Sequence, residues 1–215
     1  MTLNFPTSAL LIIDVQNDFC PGGALGVDKG DEVVQPLNRL ASFFAANAGR
    51  VVATQDWHPA GHVSFASSHA GKSPGQSLEL PNVSAQMLWP DHCVQGSQGA
   101  DFHADLDLKP VNLVLRKGFR PSLDSYSAFF ENDRRTSTGL DGFLKVLFVD
   151  TVVLGGLATD YCVLYSALDA VALGYKTYVA SDAVRGVGIP EGSVQRALTL
   201  LEEAGVIIAE SRDFK

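Results

Sequence analysis

The sequence predicts a single α/β domain of the three-layer α/β/α type, with a mostly parallel sheet of about six strands. Two observations lead to this fold class: six short apolar runs have the length of buried strands, and helical patterns lie between most of them. Strands that alternate with helices favour parallel pairing, right-handed crossovers and helices on both faces of the sheet. A chain of 215 residues also suits one domain with a large core, so we expect a single domain over 1–215.

The expected strands are almost continuous apolar runs, which is typical of strands covered on both faces. The first run, ALLIIDV, is apolar up to Asp14. All six have the length of a strand in a globular protein. They span residues 9–15, 50–54, 111–115, 151–154, 177–180 and 206–209.

The expected helices carry apolar residues at helical spacing over residues 33–46, 161–173 and 193–204. A glycine follows each of them, as is usual at a helix C-terminus. Residues 57–110 break this alternation, because they are rich in Gly, Ser, His and Pro and show little periodicity. A loop of this length inside a compact domain is usually functional. We therefore expect 57–110 to contribute to a binding site.

Composition and charge exclude several classes of protein. Hydrophobic residues make up 46% and charged residues 19% of the chain, as in ordinary soluble enzymes. The formal net charge of -8 argues against nucleic acid and anionic membranes as partners. No apolar run is long enough to span a bilayer, and the N-terminus lacks the features of a signal peptide. Three cysteines are too few for a disulfide framework. We expect a cytoplasmic protein with free thiols, and a homo-oligomer is left open.

Reactive side chains stand at the ends of the first four predicted strands. In open parallel sheets, ligands bind just beyond the carboxyl ends of the strands. Because these ends meet at one edge of the sheet, the four side chains are expected to converge. They are Asp14, Asp56, Lys117 and Cys162.

Three of these side chains form a plausible set for acyl transfer. Taken singly, an Asp at a strand end often caps a turn, a Lys before Gly is usually solvated, and a Cys is often a small core residue. Taken together, Asp14 can act as the base for Cys162, and Lys117 can supply the cation that a thiolate needs. We expect Thr159 or Asp160 to be the N-cap of the next helix. The thiol in its first turn would then have a lowered pKa, and its free amide would stabilise an oxyanion.

A second cluster has the composition of a metal site. In an extended segment Asp56 and His58 point to the same side and can bind one ion, and His92 would be the third ligand. One carboxylate and two imidazoles leave positions open for water or substrate, which suits Zn²⁺, Mn²⁺ or Fe²⁺. A lone D-x-H pattern also arises by chance. His62 and Ser64 lie close in sequence, where they could contact the ion directly or through water.

The remaining histidines and cysteines are interpreted as structural. His69 and His103 have the setting of ordinary loop histidines. Cys93 could in principle bind a metal, but beside His92 its side chain is expected to point elsewhere. Cys20 is interpreted as a packing residue.

Several sequence blocks resemble the nicotinamidase/pyrazinamidase branch of the isochorismatase-like hydrolases. The matching blocks, in chain order, are IIDVQNDFCPGGALGV, TQDWHPAGHVSFASSH, WPDHCVQGSQGA, KGFRPSLDSYSAFFEN and VLGGLATDYCVLYSALDA, followed by SDAVRGV. They run from near the N-terminus to beyond Gly174. Isochorismatases proper lack the nucleophilic cysteine that Cys162 supplies here.

This resemblance implies a Rossmann-like parallel sheet of about six strands and a role for each reactive group. It implies a triad of Asp14 as base, Lys117 as cation and Cys162 as nucleophile. It also implies a cis peptide bond between Leu157 and Ala158, with the Ala158 N–H in the oxyanion hole beside that of Cys162.

The same resemblance implies one bound divalent metal ion, of which Zn²⁺ is the first expectation and Mn²⁺ or Fe²⁺ the alternatives. Its ligands would be Asp56, His58 and His92, with waters completing the shell. Phe19 and Trp89 are expected to form aromatic walls around a pyridine ring.

The expected activity is therefore hydrolysis of nicotinamide, and of pyrazinamide, in NAD salvage. One alternative is a related cysteine amidohydrolase of another small amide, such as a carbamoyl or ureido compound. The metal cluster and the aromatic walls speak against it. A second alternative is a non-catalytic ligand-binding module, which would not need an intact nucleophile, base and cation.

Overall fold

The computed structural model describes residues 2–80 and 83–215. Its regular elements alternate between strands and helices along much of the chain. In chain order the strands are β1 Ser8–Ile13, β2 Arg50–Asp56, β3 Ser77–Leu80, β4 Val83–Met87, β5 Leu113–Lys117, β6 Thr151–Leu157, β7 Lys176–Arg185 and β8 Ile207–Ala209. The α-helices are α1 Val34–Ala46, α2 Leu140–Val146, α3 Leu164–Ala172 and α4 Ser193–Glu203.

Six of these strands form one sheet in the order β5-β2-β1-β6-β7-β8. Every neighbouring pair in this sheet is parallel. The predicted six-stranded parallel sheet is thus confirmed. The central strands β1 and β6 are buried along their whole length, which explains why their sequences show no alternation of polar and apolar residues.

Each face of the sheet has its own apolar core. On β1, Leu10 and Ile12 face one core together with Phe44 of α1. Leu11 and Ile13 face the opposite core, which includes residues of α2, α3 and α4. This arrangement gives the predicted three layers.

The β3–β4 pair and helix α2 differ from the predicted organisation. The predicted loop 57–110 contains the antiparallel pair β3 and β4, although positions 81 and 82 lie outside the described residues. Strand β3 alternates between exposed and half-buried positions, so it lacks the continuous apolar run by which the other strands were found. Helix α2 was also not predicted, because its seven residues are too few for a clear helical period.

The end of β6 approaches β1 unusually closely. Gly156 has φ 125°, and a Cβ atom built on it would lie 2.0 Å from the carbonyl oxygen of Ile13. Only glycine is compatible with this approach. The turn that follows β6 is thereby held beside the end of β1. Among the described helices, none has the length and apolar composition of a membrane span.

Candidate active site and metal-binding residues

The reactive side chains converge at one edge of the sheet, as the sequence predicted. Asp14 follows β1, Asp56 ends β2, Lys117 ends β5 and Cys162 lies in the turn after β6. These four strands are neighbours in the sheet, and Asp56 is in register with Lys117. All four side chains are buried.

The ammonium group of Lys117 lies at the centre of this cluster. Its Nζ is 2.8 Å from Asp14 Oδ2 and 2.5 Å from Asp56 Oδ1. It also donates to the carbonyl oxygen of Ser125 at 2.8 Å and lies 3.5 Å from Cys162 Sγ. Burial alone would lower the pKa of Lys117, but the carboxylates of Asp14 and Asp56 hold it well above its usual range. The cation is therefore permanent at neutral pH.

Asp14 is held in an unusual backbone conformation beside the thiol. Its φ of 47° is in the left-handed region, and its N–H donates to Thr54 Oγ1 at 3.1 Å. Thr54 Oγ1 in turn donates to Asp14 Oδ1 at 2.5 Å. Asp14 Oδ2 is ion-paired with Lys117 but has no aligned hydrogen bond among the described residues. A carboxylate oxygen of Asp14 lies within 4.8 Å of Cys162 Sγ. The carboxylate thus retains an acceptor position near the thiol.

Cys162 lies in a wide helical turn rather than in the first turn of an α-helix. The turn spans Thr159–Val163, and the carbonyl of Ala158 accepts from the N–H of Val163 at 3.1 Å, five residues later. Ala158 is the N-cap, so the prediction of Thr159 or Asp160 as N-cap is wrong. The carboxylate of Asp160 accepts instead from two backbone amides of a neighbouring loop.

The pKa of the Cys162 thiol also differs from the sequence-based expectation. Burial raises the pKa of Cys162 well above its ordinary value, and the carboxylates of Asp14 and Asp56 add to this. The ammonium of Lys117 opposes the shift without reversing it. The direction is opposite to the expected lowering, because the thiol is fully buried and faces two carboxylates. The resting group is a thiol, and its reaction as a nucleophile requires a base.

A pocket opens onto Cys162. The peptide bond between Leu157 and Ala158 is cis, as the resemblance implies, and Ala158 lines the pocket beside Cys162. Both predicted aromatic walls, Phe19 and Trp89, also line it. The other lining residues are Leu25, Asp56, His92, Asp124, Tyr126, Tyr161 and Val187.

Two tyrosines of this pocket were not singled out from the sequence. The ring of Tyr161 lies 4.8 Å from that of Trp89 in an edge-to-face contact, and Trp89 Nε1 donates to the hydroxyl of Tyr126 at 3.1 Å. The sequence could have indicated them, because both tyrosines lie inside the blocks that resemble the family. Tyr161 directly precedes Cys162. The pocket is therefore more aromatic than Phe19 and Trp89 alone suggested.

The donor atoms of Asp56, His58 and His92 suit a divalent metal ion. One ligand atom from each lies within 4.8 Å of the others. The Nδ1 atoms of His58 and His92 lie 2.8 Å from the carbonyl oxygens of Gly118 and Pro90, which requires these nitrogens to carry the proton. The Nε2 atom of His92 then has a free lone pair. Burial alone would lower the pKa of His58, but the carboxylate of Asp56, 3.5 Å from His58 Nε2, raises it. Burial and the neighbouring His58 lower the pKa of His92 to about 4, so this imidazole is neutral at pH 7.

His62 and Ser64 lie next to these three residues and bond to each other. His62 Nδ1 is 2.7 Å from Ser64 Oγ, and the His62 ring stacks on that of His58 with centroids 4.3 Å apart. His62 also forms a second group of potential ligands with His58 and Asp124. Their geometry allows a supporting role around the predicted metal site.

The other histidines and cysteines are held by local contacts. His69 Nε2 is 2.8 Å from the carbonyl oxygen of Val63, and His103 Nδ1 accepts from the N–H of Asp105 at 3.2 Å. Cys20 and Cys93 are buried free thiols. Neither of them belongs to a group of potential metal ligands within the part of the chain that the structure describes.

Comparison with known proteins identifies relatives along almost the whole chain. The family model of the isochorismatase domain matches residues 8–213. A nicotinamidase of Acinetobacter baylyi is 47% identical, with 95% of this chain and 93% of the relative covered. A nicotinamidase of Escherichia coli is 46% identical, with 98% of both chains covered.

Solved structures give the same result. A structure described as an Acinetobacter baumanii nicotinamidase and pyrazinamidase has a TM-score of 0.92 and 47% identity, covering 97% of this chain and 98% of that chain. PnC1 from L. infantum in complex with nicotinate has a TM-score of 0.85 and 36% identity, covering 100% and 98%. A pyrazinamidase of Pyrococcus horikoshii in complex with zinc has a TM-score of 0.77 and 33% identity, covering 95% and 99%. This chain therefore belongs to the isochorismatase domain family, in the branch whose named members are nicotinamidases and pyrazinamidases.

Proposed function

We propose that this chain is an amidohydrolase that converts nicotinamide to nicotinate and ammonia, and that it also accepts pyrazinamide. The observation that carries the proposal is the position of Cys162, between the Asp14–Lys117 pair and an aromatic pocket. The names of relatives at 46–47% identity over nearly the full chain support the same substrate. The product nicotinate would be reused in NAD salvage.

The first half of the proposed reaction forms a thioester. Asp14 takes the proton of the Cys162 thiol, and the sulfur attacks the carboxamide carbon of the substrate. The carbonyl oxygen becomes an oxyanion, for which the backbone N–H groups of Ala158 and Cys162 are the proposed donors. Asp14 then returns the proton to the leaving nitrogen, and ammonia departs as the C–N bond breaks.

The second half hydrolyses the thioester. Asp14, again ionised, takes a proton from a water molecule as the water oxygen attacks the acyl carbon. The C–S bond breaks, the sulfur of Cys162 regains a proton from Asp14, and nicotinate leaves. Throughout both halves Lys117 keeps a positive charge within 3.5 Å of the sulfur, where it stabilises the thiolate.

Asp56, His58 and His92 are the proposed ligands of one divalent ion, with His62 and Ser64 in supporting positions. Zinc is the proposed metal because a pyrazinamidase relative was solved with it and because the donor set suits it. When bound, the ion would supply a Lewis acid at the pocket and an open position for a water or a pyridine nitrogen.

The ring of the substrate is proposed to lie among the aromatic side chains of the pocket. Phe19 and Trp89 are its proposed walls, and Tyr126 and Tyr161 extend this surface. An acyclic carbamoyl or ureido compound has no ring to use this surface. The pocket therefore favours an aromatic amide.

The direct test is ammonia release by the purified, metal-loaded protein. We expect turnover of nicotinamide and pyrazinamide, with kcat/KM at least about a hundredfold above that for a carbamoyl or ureido compound of similar size. Ammonia release from the acyclic compound alone would contradict the proposed substrate and support the alternative amidohydrolase. No release from any amide would contradict the enzymatic function.

A further inference from the structure

Asp160 is a buried carboxylate beside the nucleophile that the proposed chemistry does not use. It lies two residues before Cys162 and is 5% exposed. Its Oδ1 accepts from the N–H of Val187 at 2.9 Å. Its Oδ2 accepts from the N–H of Gly188 at 2.9 Å and from the hydroxyl of Ser193 at 2.5 Å. One side chain thus ties the nucleophile turn to the segment that follows β7.

This segment supplies part of the pocket wall. Val187 belongs to this segment and lines the pocket. It also packs against the core on the α1 side of the sheet. The next residue of the nucleophile turn, Tyr161, makes a second tie, since its hydroxyl donates to the carbonyl of Ile189 at 2.5 Å. Consecutive residues of the turn therefore hold consecutive parts of the wall segment.

The close packing of Gly186 shows how tightly this segment is held. A Cβ atom built on Gly186 would lie 2.3 Å from Val194 Cγ2 and 3.1 Å from Asp160 Oδ1. All three donors to Asp160 are neutral, so the carboxylate forms charge-assisted hydrogen bonds without a competing cation among them. An asparagine of the same shape would turn an NH₂ group toward at least one of these donors.

We propose that Asp160 is a positioning residue for the substrate pocket, which fixes the Val187 wall against the turn that carries Cys162. This inference rests on the proposed function, because its test measures KM and kcat with nicotinamide as the substrate. The triad contacts do not include Asp160, so its loss should weaken substrate binding more than the chemical steps.

The test compares Asp160→Asn with Asp182→Asn. Asp182 is a matched control, because its carboxylate accepts from the backbone N–H of Ser211 at 2.7 Å and from the Ser211 hydroxyl at 2.6 Å, away from the Cys162 pocket. For Asp160→Asn we expect KM for nicotinamide and the inhibition constant of nicotinate to rise about tenfold, with kcat within about threefold of the wild type. Asp182→Asn should leave both constants unchanged.

A double-mutant cycle with Val187→Ala shows whether Asp160 acts through the wall. If it does, Asp160→Asn should raise KM much less in the Val187→Ala background than in the wild type. Amide hydrogen exchange at Val187 and Gly188 gives a readout that needs no substrate, and it should be faster in Asp160→Asn than in Asp182→Asn. Should Asp160→Asn fail to fold, Ser193→Ala removes one of the three donors and should raise KM by a smaller factor.

The possible failures are distinguishable. A wild-type protein that releases no ammonia from nicotinamide contradicts the proposed function. A wild type that hydrolyses nicotinamide, with KM unchanged in Asp160→Asn and in Ser193→Ala, contradicts the positioning role. A fall in kcat at constant KM also contradicts it, because Asp160 would then act on the nucleophile and not on the wall.

Discussion

Lys117 is the residue that joins the proposed catalytic and metal-binding groups. Its ammonium is ion-paired with both Asp14 and Asp56, which belong to different halves of the site. Two buried carboxylates this close would repel each other without a cation between them. Lys117 is therefore expected to determine both the stability of the site and the reactivity of the thiol.

Replacement of Lys117 by methionine tests this double role. Lys117→Met keeps the length of the side chain but leaves two buried carboxylates without their cation, so we expect the free energy of unfolding to fall by about 3–5 kcal/mol. Chemical denaturation measures this loss. Lys145→Met is the control, because Lys145 pairs with Asp141 on the surface and should contribute less than about 0.5 kcal/mol.

The same variant has a chemical consequence at Cys162. Burial raises the pKa of the thiol and Lys117 opposes that rise, so removal of the cation should raise the pKa further. Alkylation by iodoacetamide at pH 8, followed by peptide mass spectrometry, should become slower at Cys162. The rate at Cys20, whose pKa burial and Asp31 raise to about 11, should not change. An unchanged rate at Cys162 would show that Lys117 does not act on the thiol.

Replacement of Asp14 tests its proposed role as the general base. Asp14→Asn can keep the hydrogen bond with Thr54 but cannot take a proton from Cys162. We expect kcat for nicotinamide to fall at least about a hundredfold, the usual scale for loss of a general base. Steady-state kinetics with circular dichroism as a fold control measures it. Activity within a few-fold of the wild type would assign the base to another group.

The residue that follows β5 positions the side chain of His58, one of the two histidines of the proposed metal site. Gly118 directly follows β5, has φ 64°, and its carbonyl oxygen lies 2.8 Å from His58 Nδ1. A Cβ atom there would lie 2.5 Å from His58 Cε1. Glycine is needed at this position for its backbone conformation and for the close approach of the imidazole.

Gly118→Ala should therefore displace His58 and weaken metal binding about 10–100-fold, the range seen when support of a metal ligand is lost. Competition with a chromogenic chelator measures the affinity. Gly71→Ala is the matched control, because Gly71 has φ 73° and open space around its Cα. Equal metal affinities for the two variants would contradict the role of the β5 end in placing His58.

Among the elements, the sequence predicted the strands that are continuous apolar runs, and it missed β3, whose positions alternate in exposure, and α2, which has only seven residues. The runs of β1 and β6 were visible because full burial selects apolar residues at every position. The positions of Asp14 and Cys162 followed from the topology, since strand ends meet at one edge. Tyr126 was missed because it is held by contacts with residues far away in sequence, such as Trp89. The direction of the pKa shift at Cys162 was not predicted, because it depends mainly on burial, and the burial of this thiol is set by residues distant in sequence.

Considered as a whole, the molecule is proposed to bind its substrate between a nucleophile and a metal. The pocket touches Cys162 as well as Asp56 and His92, so a small aromatic amide could contact both groups at once. A ring nitrogen meta to the carboxamide would be placed to bind the metal ion while the carboxamide faces Cys162. Nicotinamide and pyrazinamide have such a nitrogen, and benzamide does not.

Benzamide is therefore expected to be a poor substrate, with kcat/KM at least about tenfold below that of nicotinamide. Ammonia release with the same enzyme preparation measures both values. Pyrazinamide is the control, because it keeps the nitrogen and should be hydrolysed. Equal kcat/KM for benzamide and nicotinamide would mean that the aromatic walls alone recognise the ring.

Metal removal gives an independent prediction. A ligand that binds only the folded state stabilises it, so a chelator should lower both Tm and activity, and zinc, manganese or iron should restore them. His92→Ala should lower the metal content found by elemental analysis. His69→Ala is the control, because His69 bonds to a backbone carbonyl away from the three proposed ligands. Unchanged metal content in His92→Ala would remove this residue from the site.

The proposed mechanism depends above all on attack of the Cys162 sulfur on the amide carbon of nicotinamide. The most direct test is kcat/KM for nicotinamide in Cys162→Ala, compared with the wild type and with Cys20→Ala at equal metal content. We expect Cys162→Ala to be folded and to bind metal but to have no measurable turnover, while Cys20→Ala retains near-normal activity. Near-normal hydrolysis by Cys162→Ala would contradict the cysteine mechanism.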